Sequence, residues 1–447
     1  MTSKWHWLLR RVTRKLWFRA SLLSLLAIAT ALVAVVLAPY IPEDLPAKIG
    51  SDAVDGILNI LASSLLAVTI FSLSAAVTAL GNATQNVTPR ATTLLLEDTT
   101  TQNALATFLG AFLFSLVGIV ALATGVYGST GRVVLFVVTL LVILLIVGTL
   151  LRWIDHLSRL GTVGETTLRV EKAALRAVET HFADPYLGGT PLGDSTDGVP
   201  RHARPVACPE VGYVQHIDVG ALSECAEQHG GQVFVAALPG TFVDPSRPVA
   251  HVLDMASEHD DLVRAAFTVR KERSFDQDPR FGLAVLAEIA SRALSPAIND
   301  HGTAIDVIGR AVRVLSSSGS GKDAEGANVE CPRVHVPAID TEDLFDDVFN
   351  PIARDGAAIV EVQIRLQKAL LTLARIDTRY AAPAARHAAM AAERAESALT
   401  LAVEKARVRE IAAATLEMAR PDPRRLGEDE LGALDPTAIS ANSKRCP

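Results

Sequence analysis

VVLFVVTLLVILLIVGTLL, residues Val133–Leu151, is closed by Arg152-Trp153. As a helix rising about 1.5 Å per residue it is roughly 30 Å long, the thickness of a bilayer's hydrocarbon core. No charge interrupts it, and the basic-aromatic pair stands where lipid headgroups would lie. This stretch decides the fold. What precedes it reads as mostly membrane, and the long remainder reads as soluble.

Working backwards, Asn103 to Thr124 makes a third span, with Ala106/Gly110 and Ala111/Ser115 offering small-xxx-small contacts. Ile57 to Leu80 makes a second, punctuated by Ser63, Ser64, Thr69, Ser72, Ser74 and Thr78. Its hydroxyls and alanines (Ala75, Ala79) recur at helical spacing. Close helix packing explains that, and a pore lining is the alternative. Ala20 to Ala38 is too long for a signal-peptide core and reads as an uncleaved first span. Six basic residues and no acid precede it, whereas Glu43 to Asp55 holds four acids against Lys48. The basic flank and Arg152, Arg159, Arg169 and Lys172 after the last span put both termini in the cytoplasm. No Asp, Glu, Lys, Arg or His lies within a span, which argues against a proton-coupled transporter.

Outward on the other side, Asp155 to Phe182 is expected to continue the fourth span as one helix, ending at Asp184-Pro185. Leu187 to Pro205 reads as loop. Residues 206–270 read as a small α+β module resembling a closed barrel. In it Gly212 to Asp218 alternates as a strand, Asp218 caps a helix, and Gly230-Gly231 ends that helix. The string PGTFVDPSRPVAHV resembles a half-motif of biotinyl- or lipoyl-type β-sandwiches, without a lysine at the turn to carry a cofactor.

Residues 271–420 read as helical. Asp278-Pro279 starts a helix whose apolar face is Phe281, Val285, Leu286, Ile289, Ala290, Ala293 and Leu294. Glu288 and Arg292 are spaced as an i,i+4 pair. Ser295-Pro296 ends the helix, and Asn299 or Asp300 caps the next, Thr303 to Leu315. Helix capping accounts for most of these polar residues. The alternative is an anion or ligand surface made by Arg273, Gln277, Asp278, Arg280, Asn299 and Asp300, since arginines beside a helix N-terminus attract anions. If exposed, the two arginines would matter little to stability. Ser316 to Pro332 reads as a flexible insert, and the acids from Asp340 to Asp347 as a solvated helix start. Ala381 to Met418 reads as one long surface or oligomerising helix, and 421–447 as a disordered tail.

The fold expected is therefore mainly α. A basic N-terminus (1–19) leads into a four-helix transmembrane half (20–152), a connecting helix and loop (153–205), the barrel-like module and the helical domain. The net charge of −7 gives no footing for nucleic-acid binding. The four cysteines form no CxxC pair, and Cys331 with His335 supplies too few ligands for a metal. No Ser/His/Asp or Cys/His set and no phosphate-binding glycine motif is apparent, so neither enzyme activity nor a cofactor is expected. The expected partners are the lipid bilayer, a second copy of the chain in a homo-oligomer, and an anionic ligand or lipid headgroup.

The chain resembles the bacterial predicted-membrane-protein family known as domain of unknown function 2254. The residues that carry the likeness run in order from Phe71-Ser72 and Thr88-Pro89-Arg90 to Thr107-Phe108-Leu109-Gly110 and Ile154-Asp155-His156. They continue with Gly212-Tyr213, Ile217-Asp218, Pro239-Gly240, Phe242-Val243 and Arg273 to Ala304. The resemblance covers roughly residues 15–380. It implies a bacterial inner-membrane protein and brings no activity with it. The classes left open are a membrane-anchored sensor or scaffold with a cytoplasmic ligand- or partner-binding domain, and an oligomeric channel.

Overall fold

The computed structural model describes residues 51–420 except 97, 125–127, 193–197 and 318–328, together with 25, 29 and 33. Both chain ends, and all of the expected first span but Leu25, Ala29 and Val33, lie outside the described residues, as does most of the 316–332 insert.

Among the described residues three helices are long and apolar enough to cross a membrane, over Val54–Gln85, Thr99–Ala123 and Arg132–Arg159. The first belongs to α1 (Ser51–Asn86), whose 36 residues exceed what a bilayer needs, so its end projects beyond the hydrocarbon. A 3-10 turn (Pro89–Ala91) and a short helix α2 (Thr92–Leu96) lead to α3 (Thr99–Ala123), followed by α4 (Gly128–Arg159). The three long helices bury Leu58, Leu65, Phe108, Phe114, Leu135, Ile146 and Trp153 between them. The small residues Ala106, Gly110, Ala111 and Ser115 of α3 are all buried, as their spacing predicts. In α1 the hydroxyls of Ser63, Ser64, Thr69 and Thr78 donate to carbonyls four residues back, so they are satisfied without water.

The expected fourth span does not run unbroken into the soluble half. It stops at Arg159, and α5 (Val163–Ala183) restarts after a joint at Gly161 with φ +78°. A Cβ on Gly161 would come within 2.5 Å of the Ala79 carbonyl oxygen, so the joint lies directly against α1. Thr162 caps the new helix.

Beyond α5 come β1 (Gly189–Pro191), β2 (Arg204–Ala207), β3 (Gly212–Ile217), α6 (Val219–His229), β4 (Gln232–Val235), β5 (Phe242–Val243) and β6 (Pro248–Leu253). Then follow α7 (Asp260–Ala265), β7 (Phe267–Arg270), α8 (Pro279–Ala293), α9 (His301–Ser316) and β8 (Cys331–Val336). Four helices close the described chain: α10 (Thr341–Asp355), α11 (Val360–Ile376), α12 (Ala381–Ala398) and α13 (Ala402–Met418).

The module is no closed barrel. It has a five-stranded sheet, ordered β1-β8-β4-β6-β2, and a separate antiparallel sheet ordered β5-β3-β7. The larger sheet is mixed, because β8 pairs parallel with both β1 and β4. Strand β8 comes from within the stretch expected to be all helical and β1 from the expected loop. The sheet is thus assembled across both expected boundaries. Val334 and Val336 enter its core beside Val233, Val235, Val249 and Val252.

The helical core gathers α5 and α8 to α13. The expected single helix over 381–418 is two, broken at Leu399, and its alanines are interior rather than surface. Ala384, Ala388, Ala391 and Ala395 are fully or almost fully buried, since a methyl side chain lets helices approach closely. The same core takes in Val87 and Ala91 from the segment between two membrane helices. That segment and the helical domain therefore occupy one side of the membrane.

Candidate functional site

At the start of α8, Asp278 caps the helix, its Oδ1 accepting the N–H groups of Arg280 and Phe281 at 3.1 Å each. Only 1% of its side chain is exposed. Arg273 donates to it in bidentate fashion, Nε to Oδ2 at 2.7 Å and Nη2 to Oδ1 at 2.9 Å, and lies over the Phe281 ring. Gly240 covers the same carboxylate, in a turn (φ +94°) where a Cβ would sit 2.5 Å from Asp278 Oδ2. Burial pushes the Asp278 carboxyl up, and Arg273 with the two N–H groups pulls it back.

Arg280 reaches away to α10, where its Nε lies 2.7 Å from Asp347 and a second nitrogen meets Asp343. Arg386 of α12 clasps Glu342 and Asp346 on the same helix. The acids of 340–347 are therefore not merely a solvated helix start, for four of them form ion pairs that tie α10 to its neighbours. Gln277 accepts the Ile217 N–H at 3.1 Å. Asn299 and Asp300 lie past the far end of α8, roughly 22 Å along the axis by helical rise. Asn299 is left-handed (φ +53°) and contacts His301, and Asp300, not Asn299, caps α9 through Thr303. The six expected surface residues thus fall into two places, and each arginine already meets a carboxylate of the chain.

Glu288, on the outer side of α8, does not serve Arg292. It pairs with Arg90 and accepts from the Thr88 hydroxyl at 2.9 Å, fastening the interspan segment. A second fastening was not legible in the sequence. Asp98, 8% exposed, caps α3 and accepts from His156 of α4 (2.8 Å) and Arg169 of α5 (2.8 Å). Burial alone would raise the Asp98 carboxyl; hydrogen bonds from His156, Thr101 and Arg169 outweigh it and hold the group well below the usual carboxylate range. The only hint was an acid directly before a span.

At the other end of α5 a cleft of about 400 Å³ opens between His181 and Asp184, the start of α6 (Asp218 to Ala221, with Glu224), Gln277 and the start of β8 (Glu330, Cys331). Such volumes are typical of small-molecule sites. Burial pushes the His181 imidazole down to about 4, despite the nearby Asp184, so it is neutral at physiological pH. Burial likewise pushes the Cys331 thiol up. A smaller apolar pocket of about 240 Å³ lies at the membrane end, between Leu73, Val77, Leu80, Leu105 and Leu160.

Uncharacterised proteins of Mycobacterium bovis and Mycobacterium tuberculosis are 24% identical to the chain over 275 residues, which is 57% of this chain and 50% of each relative. The chain spans about half the length of those relatives. No solved structure matches it. A family model described as predicted membrane protein DUF2254 matches residues 13–372, a range that takes in the spans, the Asp98 and Glu288 fastenings and the cleft. With most of its length inside that match, the chain belongs to the DUF2254 family of predicted membrane proteins.

Proposed function

We propose that this protein is a membrane-anchored sensor. Its soluble domain takes a ligand or partner in the cleft, and α5 couples the cleft to the membrane helices. One observation carries the reading: the same helix holds Asp98 through Arg169 near one end and lines the cleft with His181 near the other. The two positions are about 18 Å apart by helical rise. A packed helix of that length transmits displacement, because its neighbours are close-packed on it. In this reading the chain sits in the inner membrane with both ends cytoplasmic, works without enzymatic chemistry, and has lipid and further copies of itself around its spans.

Coupling is reciprocal, so loosening the membrane end must be felt at the cleft. Hydrogen exchange of the protein in lipid nanodiscs, compared with Asp98→Asn, tests this without any ligand. Faster exchange at 181–188 and 217–221 as well as at 95–102 is the expected result. A change confined to 95–102 would reduce the membrane half to an anchor. A single-channel conductance from the same preparation would favour the channel instead.

A further inference from the structure

The cleft at the end of α5 has a charge pattern that selects its occupant. Asp184, Asp218, Glu224 and Glu330 supply four carboxylates, and no lysine or arginine lines it. Glu224 stands exposed and makes no ion pair or hydrogen bond among the described residues. Behind the carboxylates is an inner wall of Ala177, Ile217, Val219 and Cys331. Into that wall is set His181, 8% exposed, whose imidazole makes no hydrogen bond among the described residues.

The imidazole has no partner in the chain and its nitrogens are not sealed off from the cleft, so whatever fills the cleft, water or a ligand, can engage them. Asp184 follows His181 by one helical turn and so shares its face. Its Oδ1 accepts the Gly188 N–H at 2.8 Å, which fixes the carboxylate at the cleft. We propose that this cleft binds a small organic cation bearing amine or guanidinium groups, with Glu224 and Asp184 as counter-charges and His181 accepting an N–H at the inner wall.

Other classes fit less well. An anion would face four carboxylates, and Asp218 already takes the Ala221 N–H at the start of α6. A metal ion needs ligand atoms that converge. Among the described residues the group that does so is Glu342, Asp346 and His387, outside the cleft, with the Arg386 guanidinium already paired to both acids. The cleft's acceptor groups are spread along its walls, as a ligand with separated N–H groups requires.

The inference rests on the cleft being the sensing site, but its test does not depend on coupling. Agmatine, which carries an amine and a guanidinium, is titrated by calorimetry into the full-length protein in nanodiscs, with glutarate as the anionic counterpart. Agmatine is expected to bind and glutarate not to. Glu224→Gln, which touches no structural partner, should weaken agmatine about fivefold, as the loss of one half-solvated charge pair does. His181→Phe, which keeps the wall apolar, should weaken it about tenfold by removing the buried acceptor. Should that variant melt early, Glu224→Gln still decides. Failure to bind agmatine, equal binding by wild type and Glu224→Gln, or preference for glutarate would overturn the ligand class. The Asp98→Asn exchange result would stand apart, so a wrong ligand class and an uncoupled cleft are told apart.

Discussion

Replacing Arg273 by alanine separates a working surface from a structural lock, and its size can be worked from the geometry. The guanidinium supplies two of the four hydrogen bonds to Asp278, whose side chain is 1% exposed. Removing it leaves a buried carboxylate with two backbone donors and no hydrogen-bonded cation. Breaking a buried pair from one side costs about 3–5 kcal/mol. Arg273 is itself 20% exposed, so water partly replaces it and the low end, about 3 kcal/mol, is expected. For a soluble part of this size that is roughly a 6–12 °C drop in melting midpoint, read by far-ultraviolet circular dichroism in detergent. The pH dependence has a definite sign. Asp278 is pushed up in the fold by burial, so its contribution is fully present below the unfolded carboxylate value near ~3.9 and is lost as pH rises through the raised folded value. In wild type Arg273 and the two backbone N–H groups oppose that loss; in Arg273→Ala the guanidinium's share, the larger one, is gone. The gap between the two proteins should widen as pH rises and shrink on acidification. Asp278→Asn placed on Arg273→Ala should restore part of the midpoint, because an amide needs no counter-charge. An unchanged midpoint, or a gap independent of pH, would show that Arg273 is a free surface arginine and refute the lock.

Gly161→Ala puts a Cβ against the Ala79 carbonyl oxygen at a left-handed position, so it should cost about 1–3 kcal/mol and open the joint between α4 and α5 to limited proteolysis; a wild-type digestion pattern would remove the joint's role. The fragment 206–270 should not fold alone, since it lacks β1, β8 and half of β2; a dispersed amide spectrum from it would contradict the sheet order. Lys48→Cys should react with an impermeant thiol reagent on intact cells and Ser320→Cys only after lysis. Reaction of both from outside would sink the proposed four-span orientation.

What could be read from the sequence was local or additive. Apolarity over Val133–Leu151 needs no partner to be recognised, and three spans appear where it is sustained. Caps at Asp218, Asp278 and Asp300 and the αL stop at Gly230 are settled within three or four residues, so they too were legible. What was not legible depends on distance along the chain. Strand β8 looks like an ordinary end of a loop until Val334 pairs with Val233, and the break after Arg159 makes sense only beside Ala79. Arg273 and Asp278 are five residues apart, yet nothing in that spacing says that the Gly240 turn roofs them over. The cleft draws His181, Glu224 and Glu330 from three separate segments, so no window of sequence contains it.

How movement could pass between cleft and membrane follows from which contacts are cheap to break. Val87 and Ala91 are wholly buried in the helical core, and withdrawing Val87 alone costs about 1.5–3 kcal/mol. The ion pair of Arg90 with Glu288 adds little, because Arg90 is 58% exposed and water screens it. The interspan segment is therefore held chiefly by apolar burial and rides with α8 as one body. Asp98 differs: its hold on Arg169 and His156 is polar and directional, so a displacement of α5 small enough to keep Val170, Ala174 and Val178 in the helical core would still lengthen the Arg169 contact. The joint at Gly161 breaks the helix between α4 and α5, so the two are not one continuous rod. A ligand drawing on His181 and Asp184 acts on the same helix, so a small displacement of α5 that leaves the interspan segment in the core and is felt at Asp98 is the route for the coupling proposed above.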